Sequence, residues 1–489
     1  MTFPRMMMSR KRESAGDRSD IQAGSLMLSV WIWWDPGETT QGASRSPARR
    51  TSTAMLSCGK EVFVVVVLCQ LLEAADAFGL RPPSLLPTSI RASRTCDRHR
   101  ARFVPRACEA TSAPWRSISS CKGLVLGPGR QDRFDSPRFA NPVVQRYKDE
   151  DGENWRMWYH GRDLNFGNDV FSQPTGRIGL AESPDGVHWE RVDGDEDLGA
   201  VLTPNKEEWW GFDTSHVGVG DVQGIKTDKI RGSGDRQGTV QFMYFFGGDQ
   251  EEVDVGGIEM GGQKIPEGVA VKGLRMRIGL CLSFDGVHWT RLEGDHHSGA
   301  VFDVGQKGEW DHLFNAWPTV VQHSDNDFRM YYSSFDPQTS KYSIGLARST
   351  DGIKWKKEGM VINGGGGDAF DARGCGRRHV VEDPETAGYL MFVEGVDMDG
   401  RHSIGLYKSS DGLKWERSSD KPVLQGSQEE GAWDAENVGC PWVVPMEDGS
   451  CRLYYSSSSR ESGSHGIGMA LSDGKDWTRF TRFDPIASA

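Results

Sequence analysis

One seven-residue phrase occurs five times in this chain. "SPDGVHW" at Ser183–Trp189 returns as "SFDGVHW" from Ser283, "STDGIKW" from Ser349, "SSDGLKW" from Ser409 and "LSDGKDW" from Leu471. The closing tryptophans, Trp189, Trp289, Trp355, Trp415 and Trp477, lie 60 to 66 residues apart, except for a first gap of 100. A repeat of this length restricts the fold more than any compositional figure. Each copy marks one supersecondary unit that cannot bury its apolar face alone and must stack on its neighbours.

The phrase is the last part of a longer unit. Before it comes an I-G-L/M stretch: "RIGLAE", "RIGLCL", "SIGLAR", "SIGLYK" and "GIGMAL". Earlier is an aromatic, alternating stretch: "WRMWYHG", "VQFMYFFGG", "FRMYYSS", "YLMFVEG" and "CRLYYSS". Earlier still, an FD or WD opens a Val-rich segment. Period-two alternation predicts strands, and Asp-Gly predicts the turn between the third and fourth strand, because that turn needs positive φ. The 60 glycines and 17 tryptophans suit tight turns and large anchors in a β-rich core. No long amphipathic helix interrupts. These observations predict an all-β fold, a five-bladed β-propeller of four-stranded blades at roughly 130–192, 210–292, 308–358, 368–418 and 431–482.

"KGLVLGPG", Lys122–Gly129, resembles the text that precedes the later units ("GAVLTPN", "GAVFDVG", "GMVINGG", "KPVLQG"). It therefore falls where the fifth blade hands on to the first, and it places the propeller domain at 122–489. The long first gap implies an insertion in blade two, about Val222 to Lys272, either shaping a binding site or decorating the surface.

Residues 1–121 read as a targeting presequence and linker. "VFVVVVLCQLL", Val62–Leu72, is too short to span a bilayer and has the length of a signal-peptide core. Ala75-Asp76-Ala77 fits a cleavage site, and Met55 is an alternative start. The Arg- and Ser-rich stretch that follows has transit-peptide composition, and with the "ADAFGLRP" junction it resembles the bipartite plastid presequence of algae with secondary plastids. A plastid is the expected destination, with secretion the alternative, and no stable membrane insertion is expected of the mature chain. A net charge of −12 argues against nucleic acid as a partner. None of the nine cysteines forms a CxxC pair, so buried free thiols are expected and neither a metal nor a cofactor is implied.

In a propeller the innermost strands line the axial channel. Aligned on their opening aspartates (Asp135, Asp213, Asp311, Asp371 and Asp434), the five segments share a small residue at step five and a valine at step nine. Features common to every blade are expected to carry the fold, and the recurrent Asp to satisfy backbone donors at a turn. Function is expected where the blades differ, at steps six to eight and near the strand starts. That selects Arg138, Asn141, His216, Trp317, Arg377, Arg378 and His379 as substrate-binding candidates, and Asp221 and Glu436 as a candidate catalytic carboxylate pair. His160 and Glu394 join them from the second strands. Aromatic faces beside hydrogen-bonding groups suit sugars, and Arg and His suit an anionic group, so a carbohydrate or sugar phosphate is the expected ligand.

The FD/WD-to-P-x-V strand, the M-Y-Y strand and the "IGLA-S-DG-x-W" hairpin resemble the five-bladed propellers of the glycoside hydrolase family 43 and 32/68 superfamily, with the phosphorolytic family 130 as a related branch. The likeness covers about residues 122–486. It implies a glycoside hydrolase or transglycosidase acting on a furanose-containing or acidic glycan. It also implies an inner-strand base, a helper carboxylate and a general acid. In this chain Asn141 stands at the place of the first, Trp317 at the second, and "GCGRRHVV" carries no Glu for the third. A catalytically degenerate sugar-binding propeller, a phosphorolytic enzyme and a protein-interaction scaffold are therefore alternatives.

Overall fold

The computed structural model describes residues 121–136, 138–149, 152–162, 176–231, 237–260, 263–458 and 465–484. The expected presequence, with its cleavage site and alternative start, lies outside them. No helix among the described residues is long and apolar enough to cross a membrane.

Each repeat unit folds as one antiparallel sheet. Blade one is built from Arg138–Asp149, Gly152–Arg162, Gly176–Ser183 and Glu190–Val192. Blade two has His216–Arg231, Gln237–Gly248, Met276–Ser283 and Thr290–Leu292. Blade three has Ala316–Ser324, Asp327–Asp336, Lys341–Ser349 and Lys356–Ile362. Blade four has Cys375–Glu382, Tyr389–Val396, His402–Ser409 and Glu416–Arg417. Blade five has Asn437–Pro445, Cys451–Ser458, His465–Asp473 and Asp476–Arg482. The inner strands touch in ring order, and the fifth meets the first. The fold is thus all-β, a five-bladed propeller.

The hand-over between blades is itself repetitive. After blades one, two and four, the outgoing linker bridges back to the third strand, at Ile178–Leu202, Ile278–Phe302 and Ile404–Leu424. In blade five the partner of the corresponding Ile467 is Leu126, in the N-terminal strand Leu124–Leu126. That strand shares the outer edge of His465–Asp473 with the C-terminal strand, so the two ends of the ring meet in one sheet.

The repeated phrase is a latch between blades. Ser183 Oγ accepts from the Asp185 and Gly186 N–H groups, and Asp185 Oδ1 accepts from Val187 and His188 N–H. The same bonds recur around Asp285, Asp351 and Asp411. These short polar side chains close the loop by satisfying donors that no strand satisfies. The glycine's carbonyl then accepts from a second-strand aromatic of the preceding blade: Tyr454 to Gly186, Trp158 to Gly286, Tyr244 to Gly352 and Tyr331 to Gly412. Blade four holds Phe392 at that place and has no hydroxyl to give. The fifth copy, "LSDGKDW", correspondingly folds as a tight turn whose Asp473 pairs with Asp476. There Trp477 Nε1 donates to Gly449 O, and Phe480 meets Phe392 edge-on at 5.9 Å.

The recurrent aspartate differs from its expected role. It is buried in all five blades and pairs with a cation from the outer strand: Arg191–Asp135, Arg291–Asp213, Lys357–Asp311, Arg417–Asp371 and Arg482–Asp434, at 2.5 to 3.0 Å. It is an internal ion pair holding the outermost strand to the start of the innermost, not a turn cap. Four described thiols, Cys281, Cys375, Cys440 and Cys451, are free and buried, whereas Cys121 is disulfide-bonded, which corrects the free-thiol expectation there.

The insertion in blade two also resolves differently from a single block. The first two strands lengthen into one hairpin, and two small ribbons follow, Glu252–Asp254 with Ala270–Lys272 and Glu259–Met260 with Gln263–Lys264. The ribbons are packed: Val253, Val255 and Ile265 are buried with Leu313, Phe314, Trp317, Phe335, Tyr342 and Val396. A decoration would not bury its apolar residues against blades three and four.

Candidate functional site

Every inner strand breaks register near its middle, between steps five and eight in blades one, three and five, six and eight in blade two, and four and seven in blade four. In blades one, three and five the residue at the break has positive φ: Asn141 (61°), Trp317 (49°) and Cys440 (50°). Each precedes a proline, which has no N–H to offer. Such bulges re-aim side chains and cost strain for a residue as large as Trp. The N–H freed at the bulge is taken by a side chain from the preceding blade. Ser456 Oγ accepts from Asn141 at 2.9 Å, and Glu394 Oε2 accepts from Cys440 at 2.7 Å.

Glu394 is the centre of the axial network. Arg377 Nη1 lies 3.1 Å from both its oxygens, and His402 Nδ1 is 2.8 Å from Oε1. Burial alone would raise its pKa, but Arg377, His402 and the Cys440 N–H outweigh burial and hold it at about 2. Glu394 is therefore ionised at neutral pH, with its oxygens taken by these donors. A Cβ on Gly439 would lie 2.3 Å from its Oε2, which explains the small residue at that step. Above Arg377 lies the Trp317 ring, 4.8 Å from the guanidinium carbon. Trp317 is itself enclosed by Phe246 and the insertion, so it anchors the core and offers no open platform.

The other candidates are divided. Burial and the neighbouring Arg162, Arg377 and His216 push the His160 pKa far down, and burial with Arg162 pushes His216 down to about 3. Both imidazoles are neutral. His216 Nε2 donates to Gly273 O and so pins the end of the insertion. Asn141 Nδ2 donates to Val219 O in blade two. Arg378 turns to Ser333 Oγ and to the Trp317 carbonyl, and burial lowers its pKa to about 9. Arg138 lies half-buried at the head of blade one's inner strand.

Step eight is a set of ties between neighbouring inner strands. Asp221 accepts from Val320 N–H at 2.7 Å, His379 Nδ1 from Val443 N–H at 3.1 Å, and Trp442 Nε1 donates to Val144 O at 2.7 Å. Asp221 also takes Gln223 Nε2 at 3.1 Å on both oxygens. It is fully enclosed in the seam between blades two and three, and burial raises its pKa to about 7. Its carboxyl is occupied by those donors.

Among the described residues, two open spaces lie at opposite ends of the inner strands. The larger, about 990 Å³, spreads over the starts of the inner strands of blades four and five. Phe335, Tyr342 and Phe370 contribute buried aromatic walls, Met260 comes from the insertion, Arg373, Arg401, His402 and Lys421 bring basic groups, and Asp368, Asp397, Asp399, Asp420 and Glu436 bring carboxylates. The smaller, about 440 Å³, lies at the far ends and includes Gln145, Gln223, His379 and Trp442. His379 is stacked on Trp442 there, with ring centroids 3.8 Å apart.

Of the eleven residues singled out from the sequence, only Glu436 lines the larger cavity, and only His379 the smaller. Asp221 and Glu436 do not share a cavity. Arg377 and Trp317 come together with Glu394 behind the larger cavity's His402. The residues missed by the inner-strand alignment, Arg373, Arg401, His402 and Tyr342, belong to second-to-third-strand hairpins and strand approaches. "DMDGRHS" carried the only signal, a polar turn that no other blade repeats. Among the described residues no cluster of His, Cys, Asp and Glu could hold a metal ion.

No family model matches the chain, and no curated protein matches it. Among solved structures, the chain is similar to one described as a glycoside hydrolase, at 19% identity and a TM-score of 0.49 over 76% of this chain and 97% of that one. A second comes from work on family 130 of mannoside phosphorylases and glycoside hydrolases that target β-1,2 mannosidic linkages in Candida mannan, at 15% identity, a TM-score of 0.45, and coverage of 76% and 96%. A third is an N-acetylgalactosamine deacetylase from F. plautii in complex with blood group B trisaccharide, at 17% identity, a TM-score of 0.46, and coverage of 73% and 95%.

Proposed function

We propose that this propeller binds a carbohydrate carrying an anionic group, in the cavity over blades four and five, without cleaving it. The observation that carries the reading is the composition of that cavity. At an inner-strand head Glu436 faces a space that Asp368, Asp397, Asp399 and Asp420 also line, with Arg373, Arg401, His402 and Lys421 as its basic groups above aromatic walls. Aromatic surface with a few hydrogen-bonding groups suits sugar rings, and guanidinium groups suit a uronate, sulfate or phosphate. Its volume, about 990 Å³, is enough for a short oligosaccharide. The repeat phrases, which resemble family 43 and 32/68 propellers, support carbohydrate as the ligand class.

Cleavage of a glycosidic bond needs two carboxyl groups facing each other across the sugar, roughly 5 to 10 Å apart. Glu394 is locked as an anion by Arg377 and His402, and Asp221 is tied into the seam between blades. Of the aspartates that share the cavity with Glu436, Asp397 caps its own hairpin turn, Asp399 pairs with Arg401 and Asp420 with Arg417, so Glu436 is assigned to ligand contact. The hydrolytic reading, with Glu436 and Asp221 as its pair, is the rival.

A glycan array of neutral, uronic-acid, sulfated and phosphorylated oligosaccharides, followed by reducing-sugar assays on every hit, tests both. Binding of anionic glycans that Glu436→Gln abolishes, with no new reducing ends, is expected. Release of reducing sugar that is lost in both Glu436→Gln and Asp221→Asn would establish the rival instead. We also propose that residues 1–121 direct the chain to a plastid. Fusing them to a fluorescent protein should give plastid fluorescence, and fluorescence in the medium would indicate secretion.

A further inference from the structure

The strongest unexplained asymmetry on the surface is at the linker that leads into blade two. Four and three residues before the recurrent aspartate, the other blades carry Gln131-Asp132, Lys307-Gly308, Gly367-Asp368 and Glu430-Gly431. Blade two carries Trp209-Trp210. Trp209 is 87% exposed and Trp210 40% exposed. No other two adjacent large apolar residues among the described ones are exposed. An indole so open to water contributes little to the fold, since its apolar area is not buried.

The repeat geometry places this pair. The linker is anchored where all five are, by the Asn205 N–H to Asp213 carbonyl bond, the counterpart of Gly365 to Asp371 and Ser427 to Asp434. The equivalent segments Asp420–Gln428 and Asp368 border the larger cavity. Trp209 and Trp210 therefore stand on the same face of the ring as that cavity, over a different blade. Trp210 approaches Gly299, where a methyl group would meet its ring edge at 3.9 Å. Just before Gly299 in the chain are His296 and His297, whose rings are 4.1 Å apart and tilted by 42°, and just before the tryptophans are the acidic residues Glu207 and Glu208.

We propose that Trp209 and Trp210 form a second carbohydrate subsite, a stacking platform for sugar rings of a chain whose end or branch occupies the larger cavity. The inference rests on the carbohydrate reading and extends it from a short oligosaccharide to a polymer. Two indoles set among Asn205, Lys206, Glu207 and Glu208 give two flat apolar faces rimmed by hydrogen-bonding groups. That matches the apolar face and hydroxyl edge of a sugar ring. It lacks the continuous apolar area of a protein interface.

Native affinity electrophoresis in gels cast with polygalacturonate, arabinan or a sulfated galactan tests it, alongside calorimetry with the corresponding trisaccharides. Trp209 is almost wholly exposed, so Trp209→Ala should melt like the natural chain, while Trp209→Ala/Trp210→Ala should melt somewhat lower and remain folded. The natural chain should be retarded by one polymer. The double variant should bind that polymer about tenfold more weakly while its trisaccharide affinity is unchanged. Equal retardation of the variant, with trisaccharide binding intact, overturns the platform and leaves the cavity reading standing. A dimer of the natural chain that the variant loses in light scattering overturns it in favour of self-association. Retardation by none of the polymers and no trisaccharide binding overturns both.

Discussion

The rim and the axis of this ring are built by opposite rules. At the rim the same parts recur: the Ser–Asp–Gly latch in four blades, the buried aspartate with its cation in all five, and the tryptophan that closes each phrase. Near the axis each blade holds a different residue at the same step. Asn141, Trp317, Arg377 and Cys440 each solve a different local problem of charge or bulge geometry. Repetition makes the ring close, because each blade must offer the next the same surface. Difference makes one face of the ring unlike a regular pentagon, and the larger cavity lies where that difference is greatest.

The sharpest way to break this division is to remove one buried charge from each region. Asp371→Ala removes a buried carboxylate from Arg417, which keeps Asp420 at the rim, and Arg377→Ala leaves Glu394 held only by His402 and a backbone N–H near the axis. Arg377→Ala should lower stability by about 3–5 kcal/mol, the usual cost of isolating a buried charge, and Asp371→Ala by less, because the part-exposed Arg417 is not left isolated. In urea titrations both should be destabilised. In binding they should separate: folded Asp371→Ala retains affinity for the glycan, and folded Arg377→Ala loses it through displacement of His402. Equal binding by both variants would erase the distinction.

A smaller effect should come from Asp221. Its folded pKa, about 7, lies above its ordinary value of 3.8, so the folded state holds a proton that the unfolded chain has released in that interval. The favourable contribution is complete below about pH 4, declines through the interval and is gone above about pH 7. Asp221→Asn cannot titrate. The stability difference in favour of the variant should therefore grow by a few kcal/mol between about pH 4 and pH 8, as read from urea midpoints. A difference independent of pH would mean that the carboxyl is open to water, and would return it to the list of catalytic candidates.

The mildest test concerns the latch. Gly412 has φ of 69°, and a methyl group there would lie 2.6 Å from Arg329 Nη1 and 3.1 Å from the Tyr331 hydroxyl. Gly412→Ala should cost about 1–2 kcal/mol. The corresponding Gly474→Ala meets no atom within 4 Å, and its latch is absent, so only the φ of 56° is strained and the loss should be smaller. Comparable losses at both sites would show that the latch contributes nothing beyond its backbone conformation.

The propeller was legible in the sequence because its parts are local. Asp-Gly dictates a turn, Ser and Asp satisfy that turn's own donors, and the tryptophan follows three residues after the glycine. The site was less legible because its contacts cross between strands and, at Cys440, between blades. Glu394 lies on a second strand, Arg377 on the neighbouring inner strand, His402 beyond the hairpin, and Cys440 in the next blade. Only the proline after Asn141, Trp317 and Cys440 marked the bulges that re-aim these side chains. The larger cavity is walled by hairpins and linkers that share no alignment, so inspecting the inner strands alone pointed to Trp317 and Arg378, which the fold encloses. The insertion was visible as a gap in the period, but not its burial against blades three and four, which depends on Val253, Val255 and Ile265 meeting residues 48 or more positions away.

Hydrogen exchange measured with and without the anionic glycan that binds most tightly tests the central claim most directly. The account predicts slowed exchange in residues 396–403, 420–428 and 435–437, which border the larger cavity. The far ends of the inner strands, residues 144–148, 379–381 and 442–447, should not change. Protection confined to those far ends would contradict the assignment and move the site to the opposite mouth of the ring.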